Sequence, residues 1–322
     1  MAKTIVGVLR GGTSNEYNLS LKTGAAIMAA LPEDAYETRD ILIDKQGFWH
    51  LRGKPVTPAR ALAQIDVVVS ALHGGVGEDG SVHRILDRSG VPYPGSRALP
   101  SGFSLNKVRA RTFFQRAGVQ TPRSVAFTLS NDMSTGDMAQ AVFQQFGPPY
   151  VVKPVSEGSS YGIKYAPTVL ELAEAIADVL DSYGAAIVQE FLMGDEFHVG
   201  VIENFRGQDL YALPPAHVVR PAGSRYVESA HHEQGILKHN VPSNFTIEQK
   251  QQIAELAKSA YRSLSMAHYA GVDIILTRRG PHVLEVDSIP HLFEGSAFPR
   301  ALEAVGSSLK EFLEHAIRMA RG

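Results

Sequence analysis

Short hydrophobic runs rich in β-branched residues alternate with amphipathic stretches along the first hundred residues. The runs at 4–9, 41–43 and 66–71 have the length of buried strands, and 20–31 has the apolar spacing of a helix. Strands that alternate with helices are typical of a parallel sheet. The N-terminal third of the chain is therefore predicted to form an α/β unit.

The pattern changes after residue 100, where strands become more frequent. Helices are predicted at 101–118, 137–146, 168–180, 246–265 and 309–321, and strands at 150–153, 186–190, 196–202, 272–276 and 282–286. The segment 219–244 has little periodicity and several glycines and prolines, so we predict a functional loop. The expected fold class is α/β with α+β character in the C-terminal half, divided into domains at 1–98, 99–183 and 184–322.

Composition excludes several classes of function. The 31 basic and 33 acidic side chains give a net charge of −2, so no general attraction to nucleic acid or to an anionic membrane is expected. The chain has no cysteine, which excludes disulfides, thiolate zinc sites and a cysteine nucleophile and is compatible with a reducing cytosol. The apolar run at 4–9 is too short for a signal peptide or a membrane span.

A polar glycine loop at 158–162 follows the strand that ends near Lys153. Consecutive backbone N–H groups, small side chains and a nearby cation are typical of loops that cradle phosphates. Taken alone, the same residues also fit an ordinary polar turn. The loop is therefore a candidate phosphate site that needs support from elsewhere in the chain.

Three carboxylates on the predicted C-terminal hairpin supply that support. Asp273 lies on the first strand, and Glu285 and Asp287 lie two residues apart on the second, which places them on one face. Oxygen ligands of this type suit Mg²⁺ shared with nucleotide phosphates. The alternative is a solvated acidic edge that pairs with Arg278 or Arg279.

Two further glycine-rich runs end strands of the predicted parallel sheet. One carries Glu16, and the other carries His73 and Asp79. Ligands bind in α/β sheets at the carboxyl ends of the strands, so both runs are candidate pocket walls. Asp79 is equally suited to cap a helix, and His73 to be a structural histidine.

Taken together, these runs resemble the D-alanine–D-alanine ligase family of ATP-grasp enzymes. The resemblance rests on 11–16 with 19–21, on 73–80, on 153–162 and on 285–287, which occur in the order of the family. It implies an ATP-grasp fold with an N-terminal parallel-sheet, substrate-binding domain at 1–98, a central lobe at 99–183 and a C-terminal lobe with the metal site at 184–322.

The resemblance also implies roles for individual residues. It places ATP on Lys107, Lys153, Ser159, Ser160, Glu190 (adenine) and Glu196 (ribose), and Mg²⁺ or Mn²⁺ on Asp273, Glu285 and Asp287, where the family usually has asparagine at the third position. It places the ammonium of the first substrate on Glu16 near His73 and Ser159, the second substrate on Ser296 and His232, and the oxyanion near backbone donors around His291.

The implied reaction joins two D-alanine molecules for peptidoglycan synthesis in the cytoplasm, and the implied assembly is a homodimer. The carboxylate of one D-alanine attacks the γ-phosphorus of ATP, and the amine of the second then attacks the acyl-phosphate. The expected partners are small molecules, namely ATP and D-alanine, and neither nucleic acid nor membrane.

The chain departs from the family at the acceptor end. An arginine usually precedes the first metal aspartate by two residues, but Gly271 and Val272 occupy this stretch, and His291 replaces a glycine. The family's Lys-Tyr pair aligns with His231-His232, and Tyr226 is a possible substitute for the tyrosine. Removing an oxyanion donor costs about 3 kcal/mol.

Three interpretations of this departure stay open. The missing donor is supplied by His291, His231 or Arg300; or the protein is a related carboxylate–amine ligase that uses another amino acid or a hydroxy acid as acceptor; or it is a catalytically silent protein that binds nucleotide.

Overall fold

The computed structural model describes residues 3–241 and 245–322, which form three sheets. The N-terminal elements are β1 (Thr4–Gly11), α1 (Tyr17–Ala30), β2 (Tyr36–Ile43), β3 (Trp49–Leu51), β4 (Lys54–Val56), α2 (Pro58–Leu62), β5 (Val67–Ser70), α3 (Gly75–Glu78) and α4 (Ser81–Ser89). The middle elements are α5 (Ala98–Leu105), α6 (Lys107–Arg116), β6 (Ser124–Thr128), α7 (Thr135–Phe143), β7 (Tyr150–Pro154), β8 (Lys164–Ala166), α8 (Val169–Tyr183) and β9 (Ala185–Glu190). The last elements are β10 (Asp195–Phe205), β11 (Gln208–Ala212), β12 (Ala216–Val219), α9 (Ser229–Glu233), β13 (Lys238–Asn240), α10 (Ile247–Ser263), β14 (Tyr269–Thr277), β15 (Gly280–Asp287), α11 (Ala297–Ala304) and α12 (Leu309–Arg321).

The first sheet has the strand order β4-β3-β2-β1-β5, and β1 runs parallel to β2 and β5. This confirms the predicted α/β unit. The antiparallel extension through β3 and β4 was not predicted, because each of these strands is only three residues long. β2 begins five residues earlier than predicted, since its first half is only partly buried and lacks an apolar run.

The second and third sheets are antiparallel, which confirms the α+β character of the later part of the chain. The second has the order β6-β9-β7-β8, and the third has β13-β12-β10-β14-β15 with β11 on β10. β9 pairs with β6 and β7, so the predicted domain boundary at 183/184 separates this strand from its own sheet. A division after Glu190 fits the pairing better.

Two predictions of local structure were wrong. The helix predicted at 101–118 is divided into α5 and α6 at Asn106, whose side chain accepts a hydrogen bond from the backbone N–H of Arg109 at 3.0 Å and caps α6. The loop predicted at 219–244 contains α9 and β13, and Pro242, Ser243 and Asn244 lie outside the described residues.

The hydrophobic cores connect distant parts of the chain. Phe298 of α11 and Phe312 of α12 pack together, with ring centroids 4.9 Å apart, in the same core as Val6 and Val67 of the first sheet. Phe114 of α6 lies in the core of the third sheet. No helix in the described part of the chain is long and apolar enough to cross a membrane.

Candidate active site

One pocket is lined by residues of the N-terminal unit, the second sheet and the third sheet. Glu16 and Glu78 come from the N-terminal unit, Lys153 and the loop 157–163 from the second sheet, and the carboxylates Glu196, Asp273 and Glu285 from the third. The structure therefore brings together most of the residues that the sequence suggested for a nucleotide and an amino-acid substrate. His73 and Lys107 reach the same region, His73 through its contact with His291.

Two lysines lie beside a carboxylate at one end of the pocket. Lys107, the first residue of α6, donates to the backbone carbonyl of Glu157 at 2.5 Å, and its Nζ lies 3.5 Å from Oε2 of Glu285. Burial lowers the pKa of Lys153, and the charge of Glu285 opposes this shift. Two cations held close together beside an open space are suited to the oxygens of a polyphosphate.

The glycine loop closes this pocket against the N-terminal unit. Ser159 and Ser160 have φ angles of 43° and 62°, in the left-handed region that non-glycine residues seldom adopt. The hydroxyl of Ser159 donates a hydrogen bond to Glu16. A Cβ atom at Gly158 would lie 2.5 Å from Oε2 of Glu16, so a side chain there would displace the Glu16 carboxylate from its present position. The loop thus lies directly on the side chain predicted to bind the first substrate.

Glu16 is 5% exposed, and burial raises its pKa to about 7. The hydrogen bond from Ser159 opposes the shift, and the charge of Glu285 adds to it. Its Oε1 lies 3.9 Å from Nε2 of His291. A carboxyl group that is half ionised near neutral pH in the unliganded protein is well placed to become fully ionised when an ammonium group binds beside it.

This environment gives a prediction about pH. A folded-state pKa of about 7 lies above the ordinary value of 4.5, so the folded protein binds the extra proton between these values. Glu16 therefore contributes stability that is complete below pH 4.5 and is lost as the pH rises through 7. We expect Glu16→Gln to raise the melting temperature relative to the wild type more at pH 8 than at pH 5, and to lower activity about 100-fold. An equal effect on melting at both pH values would contradict the raised pKa.

His73 is buried beside Glu16 and is uncharged. Burial lowers its pKa well below the usual value, and the neighbouring His291, whose ring centroid lies 4.5 Å away, adds to the shift. Its Nε2 lies 2.8 Å from Oγ1 of Thr23, and the backbone carbonyl of Ile289 forms a second hydrogen bond with the ring. These contacts hold His73 behind His291, which itself lines the pocket.

Asp273 and Glu285 lie opposite each other on β14 and β15, and Asp287, two residues after Glu285, lines the same pocket. Nδ1 of His198 and Oδ1 of Asp273 are 2.8 Å apart. The paired carboxylates, 37% and 30% exposed towards the pocket, fit a divalent cation shared with phosphate oxygens. Within 3–241 and 245–322, however, no three carboxylate or imidazole groups are arranged to hold a metal ion, and Asp287 as the third ligand stays a prediction.

Asp287 also forms an acid pair with the buried Glu78. The two oxygens of Glu78 already accept hydrogen bonds from the backbone N–H of Gly74 at 2.8 Å and from the hydroxyl of Ser288 at 2.7 Å. Burial, followed by the charge of Glu78, raises the pKa of Asp287 well above its usual value. Asp287 therefore stays protonated and donates a hydrogen bond to Glu78. This gives Asp287 the charge and the hydrogen-bonding pattern of an asparagine.

We accordingly expect Asp287→Asn to be well tolerated. An amide can donate to Glu78 and accept from the N–H of Ile289, as the protonated carboxyl does, so kcat/KM is expected to stay within about threefold of the wild type. The variant should also lose less stability than the wild type as the pH rises above 7, because its amide at 287 has no proton to release. Asp287→Leu, which removes both hydrogen bonds, is the matched control, with an expected cost of about 1–3 kcal/mol in the free energy of unfolding. Equal loss of stability in both variants would contradict the shared-proton arrangement.

Glu190 and Glu196 lie along the predicted nucleotide side of the pocket. The carboxylate of Glu190 accepts hydrogen bonds from Arg123, at 2.9 Å from both the backbone N–H and NH2, and from Arg279 at 3.1 Å. Arg279 therefore pairs with Glu190, and not with the metal carboxylates as the alternative interpretation had it. Glu196 lies 3.5 Å from Arg220. Contacts of either carboxylate with adenine or ribose stay predictions.

The predicted acceptor end is rich in uncharged imidazoles. Burial lowers the pKa of His232 to about 3 and that of His291 to about 4, and their ring centroids are 5.9 Å apart. The hydroxyl of Ser296 has backbone carbonyl acceptors at 2.6 Å (Phe293) and 2.9 Å (His291), so its single proton is directed at the main chain and not at a substrate carboxylate. Its role in substrate binding stays a prediction.

The structure separates the three residues considered as replacements for the missing arginine. His291 lines the pocket. His231 accepts from the backbone N–H of Glu228 at 3.0 Å and caps α9, and Arg300 donates to the carbonyl of His239 at 3.2 Å. Tyr226 and His232 line the pocket as well.

Sequence reasoning missed several residues that contact the site, namely Thr23, Glu78, Glu157, His198 and His239. His198 could have been found, because it lies two residues after Glu196 on the same predicted strand and therefore on the same face. Glu78 and Glu157 lie in or next to the glycine-rich runs that the sequence indicated, whereas Thr23 and His239 gave no signal, since their roles depend on contacts between distant segments.

Comparison with known proteins agrees with this geometry. Residues 113–318 match the family model described as the D-ala D-ala ligase C-terminus. The chain is 31% identical over 320 residues to the D-alanine–D-alanine ligase of Desulforudis audaxviator, covering 98% of each chain. Among solved structures it resembles D-alanyl-alanine synthetase A from Vibrio cholerae (TM-score 0.85, 24% identity, 100% and 99% covered) and the ATP complex of the Bacillus anthracis D-alanine–D-alanine ligase (TM-score 0.79, 25% identity, 98% and 97% covered). The fold is thus the ATP-grasp fold, and the chain belongs to the D-alanine–D-alanine ligase family.

Proposed function

We propose that this protein uses ATP to join two D-alanine molecules into D-alanyl-D-alanine through a D-alanyl-phosphate. One observation carries the proposal: Glu16 of the N-terminal unit, Lys153 of the second sheet and Glu285 of the third sheet line one pocket. A buried carboxylate for an ammonium group, a buried cation for phosphate and an acidic pair for a divalent cation are the groups that this reaction requires.

Each side chain has a distinct part in the proposed reaction. Glu16 holds the ammonium of the first D-alanine, so that the carboxylate of this D-alanine points towards the lysines. Lys107 and Lys153 neutralise the charge on the phosphoryl group that is transferred. Mg²⁺ or Mn²⁺, held by Asp273 and Glu285, would supply further neutralisation between the phosphates when bound. Ser159 keeps the glycine loop on Glu16, which excludes water from the acyl-phosphate.

The second candidate is a ligase of the same chemistry with a different amino acid or a hydroxy acid as acceptor. It is favoured by the acceptor end, where Gly271 lacks the family's arginine and the imidazoles of His232 and His291 are uncharged. With less positive charge at this end of the pocket, the protein discriminates less strongly in favour of an acceptor that carries a carboxylate.

Phosphate release from MgATP tests both candidates. The purified protein is supplied with D-alanine alone, and then with D-alanine together with L-alanine, other amino acids or D-lactate, and the products are identified by mass spectrometry. D-alanyl-D-alanine from D-alanine alone supports the proposal. A mixed product formed in preference to it supports the second candidate, and binding of ATP without phosphate release would contradict both.

The remaining proposals follow from the family. The product serves peptidoglycan precursor synthesis, the protein acts in the cytoplasm, and two copies form a homodimer. The unit at 1–98 contributes mainly to substrate binding, and the two lobes that follow hold the nucleotide. Analytical ultracentrifugation measures the oligomeric state directly.

A further inference from the structure

We propose that His198 is a positioning residue for the ligation: it orients the carboxylate of Asp273, and Gly271 is required because it leaves room for the imidazole. The inference rests on the proposed function and deepens it. In this inference, His198 on the neighbouring strand occupies the space of the missing arginine side chain. His198 is not among the three residues that the sequence suggested as replacements.

His198 and Asp273 are direct neighbours across the sheet. They are paired residues in the antiparallel register of β10 and β14, and Nδ1 of the ring lies 2.8 Å from Oδ1 of the carboxylate. Because an ionised carboxylate can only accept, the ring donates through Nδ1. The His198 side chain is 13% exposed and lines the pocket. One oxygen of Asp273 is thereby fixed, which leaves the other to face the pocket.

Gly271 supplies the space that the ring occupies. A Cβ atom at this position would lie 2.4 Å from Cε1 and 2.7 Å from Nε2 of His198, so any side chain there would displace the imidazole. No left-handed φ angle is recorded at Gly271, so space and not backbone conformation requires the glycine. Val272 points into the core of the third sheet, which leaves 271 as the position on the face of Asp273.

The orientation of Asp273 matters because Glu285 lies opposite it on β15. Two neighbouring carboxylates repel each other, and a carboxylate free to rotate would turn away from the other unless a donor held it. A hydrogen bond to a group that itself binds a metal commonly affects metal affinity or activity by 10–100-fold. His198 is in the place to have this effect on the Asp273–Glu285 pair.

Two amide variants separate orientation through Nδ1 from a direct role of the ring. The amide nitrogen of His198→Asn lies where Nδ1 lies, and that of His198→Gln reaches the position of Nε2. We expect His198→Asn to keep kcat/KM within about fivefold of the wild type, and His198→Gln and His198→Ala to lose about 10–100-fold. Affinity for Mn²⁺ in the presence of a non-hydrolysable ATP analogue, measured by electron paramagnetic resonance, should follow the same order.

The partnership with Gly271 is tested by restoring the arginine. Gly271→Arg alone should lower kcat/KM by about 100-fold, because it displaces His198. The double variant Gly271→Arg/His198→Ala should have a kcat/KM at least tenfold higher than that of Gly271→Arg. His217→Ala is the matched control, since His217 forms another histidine–aspartate pair on this sheet, 3.4 Å from Asp195. Its activity and Mn²⁺ affinity should be unchanged.

The outcomes separate the two proposals. Wild-type protein that forms no D-alanyl-D-alanine would overturn the proposed function. In that case the order of Mn²⁺ affinities among the His198 variants would still test the role of His198. An Asn variant no better than the Ala variant in Mn²⁺ affinity, with both folded by thermal melting, would overturn orientation through Nδ1. A double variant no more active than Gly271→Arg would overturn the shared use of space.

Discussion

Lys153→Met is expected to lower kcat/KM for ATP by about 10³-fold. The side chain lies at the end of β7 among Lys107, Glu196 and Glu285, where its charge faces the space proposed for the phosphates. Removing one charged donor aimed at the developing negative charge typically costs 10²–10³-fold in rate, and a buried cation lies at the upper end of this range. Methionine keeps the aliphatic stem, so the change isolates the charge.

Melting measurements distinguish this effect from misfolding. Because burial lowers the pKa of Lys153, its ammonium group opposes folding at pH 7, and this cost diminishes as the pH rises. The methionine variant should therefore melt no lower than the wild type at pH 7. Lys164→Met is the control, since Lys164 is 47% exposed and pairs with Asp178 outside the pocket. A loss of less than tenfold in kcat/KM for Lys153→Met would contradict the phosphate role.

The regular parts of the fold could be predicted because their sequence patterns are local. The buried valines of β5 form a continuous apolar run, and the helix α8 begins at a Thr168 cap that accepts from the N–H of Glu171. The strand β13 could not be predicted, since Lys238–Asn240 is polar and owes its conformation to pairing with β12. Long-range pairing of this kind leaves no periodic signal.

The candidate site could be predicted as far as side chains follow strand and loop positions. Lys153 and Asp273 lie in the pocket because each lies on a strand that the sequence indicates, and Glu16 because it lies in the glycine-rich run after β1. The partner of Asp287 could not be predicted, because Glu78 is more than two hundred residues away and lies on α3 of the N-terminal unit. The contact of His198 with Gly271 could not be predicted either, because it depends on the register of β10 against β14.

Glu285→Gln is expected to lower kcat/KM by about 10³-fold and to weaken Mn²⁺ binding in the presence of an ATP analogue by at least tenfold. Glutamine keeps the size and one acceptor oxygen but removes the charge that lies opposite Asp273 and 3.5 Å from Lys107. With Asp287 held by Glu78, the pair of Asp273 and Glu285 carries the negative charge available to a divalent cation on this face, so the loss of one member is not compensated by the third carboxylate.

Matched substitutions decide whether the charge or the fold is responsible. Glu255→Gln removes a carboxylate of the same size from an exposed ion pair with Lys258 on α10, and it should leave activity and Mn²⁺ affinity unchanged. Raising the Mg²⁺ concentration should recover part of the activity of Glu285→Gln, because weaker binding is offset by mass action. If Glu285→Gln instead keeps wild-type Mn²⁺ affinity, the acidic pair is not the metal site, and the activity lost must come from Lys107, whose ion pair with Glu285 this substitution also removes.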